Sequence, residues 1–224
     1  MIDTAIDLGW IGRNWSTGMN IGSLLIEHLA LSIIPVLIAV IISIPLGYLI
    51  FLTGRGANGL LAVLGVIYSV PSLALFVALP VILRISILSP VNVAVALAIY
   101  SIALLIRSVV DGLRSVPDTV KQAASAIGYG WFRRLLVVEL PLAMPVIFAG
   151  LRVVTVSNIA MVSVAAVVGG GALGQLFDRG LNSSFLTPIV AGLAFSLLLA
   201  LIADALILLI KYGTLPWARG RRLA

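Results

Sequence analysis

Two charged residues of opposite sign lie inside long apolar stretches of this sequence. Arg152 is the only charged residue in the stretch 140–177, and Asp204 is the only one in 180–210. In a membrane helix a charge is costly unless it meets an opposite charge or faces a water-filled cavity. We predict an intramembrane ion pair between Arg152 and Asp204. The alternative is that each side chain extends to the membrane surface.

A second set of side chains in the apolar stretches has the chemistry to line a path for a small cation. Tyrosine ring faces attract quaternary ammonium groups, which makes Tyr68 and Tyr100 candidates for lining such a path. Ser72 and Asn158 are the polar candidates that accompany them. The alternative is that these side chains only hydrogen-bond and pack between helices.

No pattern in the sequence predicts catalysis, a metal site or nucleotide binding. Cysteine is absent and the single histidine, His28, follows Glu27 at the outer end of the first apolar stretch, where a residue at the membrane surface is expected. The sequence GGGALG at Gly169–Gly174 matches G-x-G-x-x-G, but it follows an apolar helix instead of a strand. We expect a non-enzymatic chain that binds no cofactor itself.

The segment Lys121–Pro145, KQAASAIGYGWFRRLLVVELPLAMP, belongs to the one long polar connection between the apolar stretches. Ser115 as a cap, Pro117 in the first turn and Asp118 near the positive helix end predict the start of a short helix. Gly128 predicts its end, because glycine readily adopts the left-handed conformation of a helix C-terminus.

A second short helix, WFRRLLVVE, follows, and prolines 141 and 145 are then expected to begin a membrane helix. Ala123, Ala124 and Ala126 leave the first helix nearly bare, so that a partner protein can approach it closely. We predict that this hairpin docks into a groove on a partner. The paired arginines 133 and 134 are either general basic residues or partner contacts, and Glu139 either caps the helix or pairs with them.

Membrane-spanning helices must position all of these residues. Of 224 residues, 62% are hydrophobic and 10% are charged, and the mean hydropathy is +1.23. A soluble domain has about 25% charged residues. A span needs about 20 apolar residues, and lipid allows an open chain to cross only as helices. The sequence therefore predicts an all-α membrane protein with five helices, near 24–52, 59–83, 90–110, 142–168 and 185–211.

The distribution of lysine and arginine predicts the orientation of these helices. Ten basic residues fall on one side and three on the other, and basic loops face the cytoplasm. The prediction is an exterior segment 1–23, a membrane domain 24–211 and a basic cytoplasmic tail 212–224, with the connection 115–140 on the cytoplasmic side. The net charge of +6 then indicates contact with an anionic lipid leaflet and not with nucleic acid.

The spacing in the cytoplasmic segment resembles the "EAA" signature of permease subunits in type I binding-protein-dependent ABC importers. The matching positions are Gln122-Ala123-Ala124, Gly128, Val138 and Leu140-Pro141. The resemblance implies that Gln122, Ala123, Ala124, Gly128, Leu140 and Pro141 form a coupling element that docks on the ATP-binding subunit. Gln122 departs from the glutamate that is common in the family, and this removes a charge from the contact.

Four further segments resemble the quaternary-ammonium subgroup, which carries glycine betaine, choline and carnitine: Ser69–Phe76, Arg107–Pro117, Val138–Arg152 and Gly169–Leu181. The resemblance implies a bacterial plasma-membrane permease with an ATP-binding subunit dimer, a second permease subunit and an extracytoplasmic binding protein. ATP and magnesium would be bound by the partner. Alternatives are a permease for methionine or another amino acid, and an ion-driven secondary transporter.

Overall fold

The computed structural model describes residues 6–218 and is helical through most of that range, with no strand among the described residues. The predicted N-terminal segment and the basic tail therefore lie partly outside the described residues, including arginines 219, 221 and 222. The helices are α1 (Leu8–Arg13), α2 (Ile21–Leu52), α3 (Gly56–Ser69), α4 (Ser72–Leu83), α5 (Pro90–Arg114), α6 (Asp118–Ala126), α7 (Trp131–Arg134), α8 (Leu140–Ala165), α9 (Gly174–Asn182) and α10 (Leu186–Thr214).

Short irregular helical segments accompany these helices in the described residues. A π-helical segment, Leu135–Glu139, joins α7 to α8, and a 3-10 turn, Ala166–Val168, ends α8. A second 3-10 turn, Pro216–Ala218, follows α10. Trp131–Val168 is consequently one helical run of 38 residues. The short helix α9 lies in the glycine-rich connection between α8 and α10.

Among the described residues, four helical runs are long and apolar enough to cross a membrane: Ile21–Leu52, Pro90–Arg114, Trp131–Val168 and Leu186–Thr214. The bent pair α3 and α4 makes a fifth if it counts as one span. The single helix predicted over 59–83 is wrong, because the helix breaks between Ser69 and Ser72. Pro71 causes this break, since proline lacks a backbone N–H and disfavours the helical conformation of the residue before it.

The chain forms two compact units. The first comprises Met1–Leu37, Val70–Ile99 and Thr155–Ala203, and the second comprises Ile38–Ser69, Tyr100–Val154 and Asp204–Ala224. The first unit has a core in which α4 and α5 contribute Phe76, Val93 and Leu97, all fully buried. The second has a core of Leu61, Ile106 and Val110. The second unit contains the predicted coupling segment and the charged pair.

Candidate functional site

The short helix α6 begins where the sequence predicts, but not by the predicted cap. Pro117 occupies the N-cap position and Asp118 lies in the first turn. The hydroxyl of Ser115 donates to the carbonyl of Gly112 at 2.7 Å, so the expected capping role of Ser115 is wrong. The preceding helix uses this hydroxyl to satisfy one of its own terminal carbonyls.

Gly128 ends α6 through a defined backbone turn. Its φ is +87°, in the left-handed region. The N–H of Gly128 donates to the carbonyl of Ser125 at 3.0 Å, and the N–H of Tyr129 donates to the carbonyl of Ala124 at 3.1 Å. These two bonds form a Schellman motif, in which glycine is strongly preferred at the left-handed position. The prediction that Gly128 stops the helix is confirmed.

The helix α8 begins at Leu140, directly before Pro141, where the sequence predicts the start of a membrane helix. The predicted second short helix does not end before it, because the helical run Trp131–Val168 is continuous. Both prolines lie within α8. Pro141 cannot donate the N–H that a regular helix requires, and the π-helical segment Leu135–Glu139 directly before Leu140 accommodates this loss. Leu140 and Pro141 are thus half-buried residues of a helix and do not lie in a loop.

The alanines of α6 do not share one exposed surface. Gln122, Ala123 and Ala126 are exposed, as is Gly128 beyond the helix end. Ala124 is 5% exposed and packs within its own unit. The prediction of a bare surface therefore holds for Ala123 and Ala126 and is wrong for Ala124.

An open groove runs along α6, with a volume of about 380 Å³. It is lined by Asp118, Lys121, Gln122, Ser125 and Arg134. The ammonium of Lys121 bonds the carboxylate of Asp118 at 3.1 Å, so part of this charge is already neutralised. The residues that line the groove are all polar or charged and the groove is open to solvent, which suits a contact with a partner protein.

Arg134 connects α6 to the π-helical segment. Its Nε donates to Oε1 of Glu139 at 2.6 Å, and its Nη1 donates to Oγ of Ser125 at 2.9 Å. Glu139 is 2% exposed. The sequence left two roles open for Glu139, capping a helix and pairing with an arginine, and the structure shows the pairing. Arg133 instead lies over the ring of Tyr129, 4.5 Å from its centroid.

The intramembrane charges Arg152 and Asp204 meet within the second unit. Nε of Arg152 donates to Oδ1 of Asp204 at 2.6 Å, and Nη2 donates to Oδ2 at 2.7 Å. Two parallel bonds between a guanidinium and a carboxylate form the strongest common ion-pair geometry. The pair joins α8 to α10, which accounts for two charges in apolar helices.

The four residues predicted to line a path lie in different environments. The rings of Tyr68 and Tyr100 pack edge to face with centroids 5.9 Å apart, and Tyr68 is 39% exposed. Asn158 is buried and its amide donates to the carbonyl of Ser32 at 3.3 Å, as expected for helix–helix bonding. Ser72 is half-buried at the first turn of α4. Ser72 and Asn158 belong to the first unit, and the tyrosines belong to the second.

Sequence reasoning missed a polar contact in the first unit. Glu27 accepts the backbone N–H of Ala172 at 3.1 Å, and Ala172 has a φ of +62° in the glycine-rich connection. His28 is fully buried, with Nε2 2.9 Å from the carbonyl of Ile159, so its expected place at the membrane surface is wrong. The only signal in the sequence for these two contacts is that the polar residues Glu27 and His28 stand side by side in a long apolar stretch.

The comparison with protein families decides the class of the molecule. Residues 39–212 match the family described as the inner membrane component of binding-protein-dependent transport systems. The chain belongs to this family. As a member, the permease is a multi-pass inner-membrane subunit that works with a substrate-binding protein and an ATP-binding subunit.

Named relatives match the permease over most of its length. It is 36% identical to the osmoprotectant import permease protein OsmW of Salmonella typhimurium, covering 84% of this chain and 88% of the relative. It is 32% identical to the choline transport system permease protein OpuBB of Bacillus subtilis, covering 80% and 81%. It is 36% identical to the glycine betaine/carnitine/choline transport system permease protein OpuCD of Bacillus subtilis, covering 80% and 77%.

Solved structures support the type I permease fold. The permease matches the inward-facing MetNI methionine ABC transporter with a TM-score of 0.74 at 20% identity, over 88% of this chain and 99% of that one. It matches an amino acid ABC transporter with a TM-score of 0.70 at 18% identity, over 94% of this chain and 100% of that one. The all-α membrane fold predicted from the sequence is confirmed. The predicted five spans are reached in the described residues if the bent pair α3 and α4 counts as one span, and otherwise there are four.

Proposed function

We propose that the permease forms the translocation path for a quaternary ammonium osmoprotectant such as glycine betaine, choline or carnitine. The observation that carries the proposal is that the three named relatives, each at least 32% identical, all transport compounds of this class or osmoprotectants by name. The likeness to methionine and amino acid transporters rests on 18–20% identity and supports the fold alone. The exposed ring of Tyr68 beside Tyr100 has the chemistry to contact a quaternary ammonium.

The segment around α6 is the proposed contact with the ATP-binding subunit. Gln122 and Ala123 are exposed on α6, and Gly128 sets the turn that follows. Leu140 and Pro141 lie further on, at the start of α8. Ala124, predicted from the resemblance as part of the same contact, is 5% exposed and supports α6 from inside. The chain is non-catalytic in this scheme, and ATP and magnesium are bound by the partner subunit.

The proposed orientation has the N-terminus outside a bacterial plasma membrane and the C-terminus in the cytoplasm. The excess of lysine and arginine on the α6 side supports it. A second permease subunit, either a copy or a paralogue, completes the path, and an ATP-binding dimer drives it. Closure of that dimer shifts α6, and the membrane helices then exchange between inward-facing and outward-facing states.

Reconstitution in proteoliposomes tests the proposed substrate class. The permease is assembled with its ATP-binding subunit and binding protein, and both ATP hydrolysis and uptake are measured. Glycine betaine, choline or carnitine is expected to stimulate both activities, whereas methionine and histidine are expected to stimulate neither. Stimulation by methionine alone would replace the substrate proposal with the amino acid alternative, and uptake without the ATP-binding subunit would favour a secondary transporter.

Substitution of Tyr68 separates a role of its ring from a role in packing. Tyr68→Leu is expected to raise the KM for glycine betaine uptake about three- to tenfold, because the cation loses a ring face worth about 1 kcal/mol. Tyr68→Phe keeps the ring and is the matched control, with a KM near that of the wild type. Equal KM values for the leucine and phenylalanine variants would remove Tyr68 from the path.

A further inference from the structure

Arg134 makes the side-chain link between α6 and the long helical run Trp131–Val168. The link has two ends, because one guanidinium donates both to Ser125, near the end of α6, and to Glu139, in the π-helical segment. The contact with Glu139 is a charge-assisted bond of 2.6 Å to a nearly buried carboxylate. A buried carboxylate is tolerated only when it is paired, and Arg134 provides that pairing.

The π-helical segment makes this geometry attainable. Residues five apart, such as Arg134 and Glu139, point to well-separated directions in a regular α-helix of 3.6 residues per turn. A π-helical segment closes i→i+5 hydrogen bonds and widens the turn, and this brings residues five apart nearer to one surface. Leu135–Glu139 has this conformation. The irregular turn before Pro141 therefore also aligns Glu139 with the arginine that precedes the segment.

The connection between the two helices is short, and beyond the Schellman turn little packs against it. It contains Gly128 and Gly130, and no described residue lies within 4 Å of a Cβ placed at either position. Glycine has the greatest backbone freedom of any residue. The Schellman turn and the buried Ala124 set the direction of α6, and a side-chain link that bypasses the two glycines holds that direction more firmly.

We propose that Arg134 is a positioning residue that fixes α6 to the π-helical segment, so that displacement of α6 is transmitted to the helical run Trp131–Val168. The inference rests on the proposed coupling role of α6. Arg134 in this scheme does not contact substrate or ATP. It determines how much of the movement of α6 reaches the membrane, and its removal uncouples ATP hydrolysis from transport without preventing assembly.

Three variants test the link in the reconstituted complex with glycine betaine. Arg134→Gln removes both ends, and uptake per ATP hydrolysed is expected to fall about fivefold or more. Ser125→Ala leaves the bond to Glu139 and removes the bond between Arg134 and α6, together with the bond from the Ser125 hydroxyl to the carbonyl of Lys121 inside α6. A two- to threefold fall is expected from the loss of the bond to Arg134. Arg133→Gln is the control: it removes a neighbouring positive charge that stacks on Tyr129, and the ratio should stay at the wild-type value.

A spectroscopic measurement tests the link made by Arg134 without requiring a transport assay. The sequence lacks cysteine, so Ala126→Cys gives a single nitroxide label at the exposed end of α6. Arg134→Gln and Ser125→Ala are expected to increase the mobility of this label in the assembled complex, and Arg133→Gln is not. Unchanged mobility, or increased mobility with an unchanged ratio of uptake to hydrolysis, would overturn the proposal.

The proposal can still be tested if the Arg134→Gln variant fails to assemble or if the wild-type complex is inactive. If the Arg134→Gln permease fails to assemble, the Ser125→Ala variant tests the link instead. Wild-type label mobility and a wild-type ratio of uptake to ATP hydrolysis in that variant would overturn the inference. If the wild-type complex shows neither glycine betaine uptake nor stimulated hydrolysis, the proposed function has failed. Label mobility still tests the link in that case, and equal mobility in all variants overturns it.

Discussion

Replacing Gly128 by valine is expected to lower glycine betaine uptake more than tenfold while the permease still assembles in the membrane. The φ of +87° at Gly128 is strained for any residue with a Cβ and most strained for a β-branched one. Space is not the obstacle, because no described residue lies within 4 Å of a Cβ at this position. Valine therefore breaks the Schellman turn and redirects α6, and transport and ATP hydrolysis are both measured in proteoliposomes.

Two further variants test whether the left-handed backbone conformation of Gly128 is the feature that transport requires. Gly128→Asp should lose less uptake than Gly128→Val, because aspartate tolerates the left-handed conformation better. Gly130→Ala should be close to wild type, since Gly130 has a φ of −65° and equally open surroundings. Equal losses for Gly128→Val and Gly130→Ala, or normal uptake in Gly128→Val, would contradict a role for the left-handed turn.

Neutralising Asp204 alone is expected to destabilise the permease strongly. Asp204→Asn leaves the guanidinium of Arg152 without its carboxylate partner in an apolar helix, and the upper bound on the cost is about 2.5–3.5 kcal/mol, that of an unpaired charge at the centre of a membrane helix. The thermal midpoint of the detergent-solubilised complex should fall by about 5–10 °C. Size-exclusion chromatography after heating measures this midpoint and the amount of intact complex.

The double variant separates an ion pair from two independent charges. Arg152→Gln combined with Asp204→Asn removes both charges, and the midpoint should recover by at least half of the loss seen in Asp204→Asn. Non-additivity of this kind is the signature of two side chains in contact. A double variant that loses the sum of the two single losses would show that the residues act separately and that the pair contributes nothing.

The start and end of α6 depend only on residues close by in the chain, and both could be predicted from the sequence. Proline and aspartate at 117 and 118 set the start of α6, and Gly128 sets its end, because each acts through its own backbone or the first helical turn. The ion pair between Arg152 and Asp204 was also predictable. Two opposite charges in apolar helices have few other partners, so the cost of burial alone brings them together.

Features that depend on distant contacts were not predictable from the sequence. The π-helical segment that joins α7 to α8 just before Pro141 was not predicted, because a proline in the sequence indicates only a helix start. The burial of His28 depends on a carbonyl 131 positions away at Ile159. Ala124 faces inward while Ala123 faces outward, and three alanines in nine residues do not define which side of a short helix is packed.

Photo-crosslinking from Ala123 tests the docking of α6 on the ATP-binding subunit most directly. A photoreactive amino acid is placed at Ala123, which is exposed on α6, and in a matched sample at Leu8, which is 74% exposed in α1. Illumination of the assembled complex in membranes should join the Ala123 variant covalently to the ATP-binding subunit, and the Leu8 variant should give no such product. Products from Ala123 with lipid, with the binding protein or with the permease itself, and none with the ATP-binding subunit, would contradict the coupling role of α6.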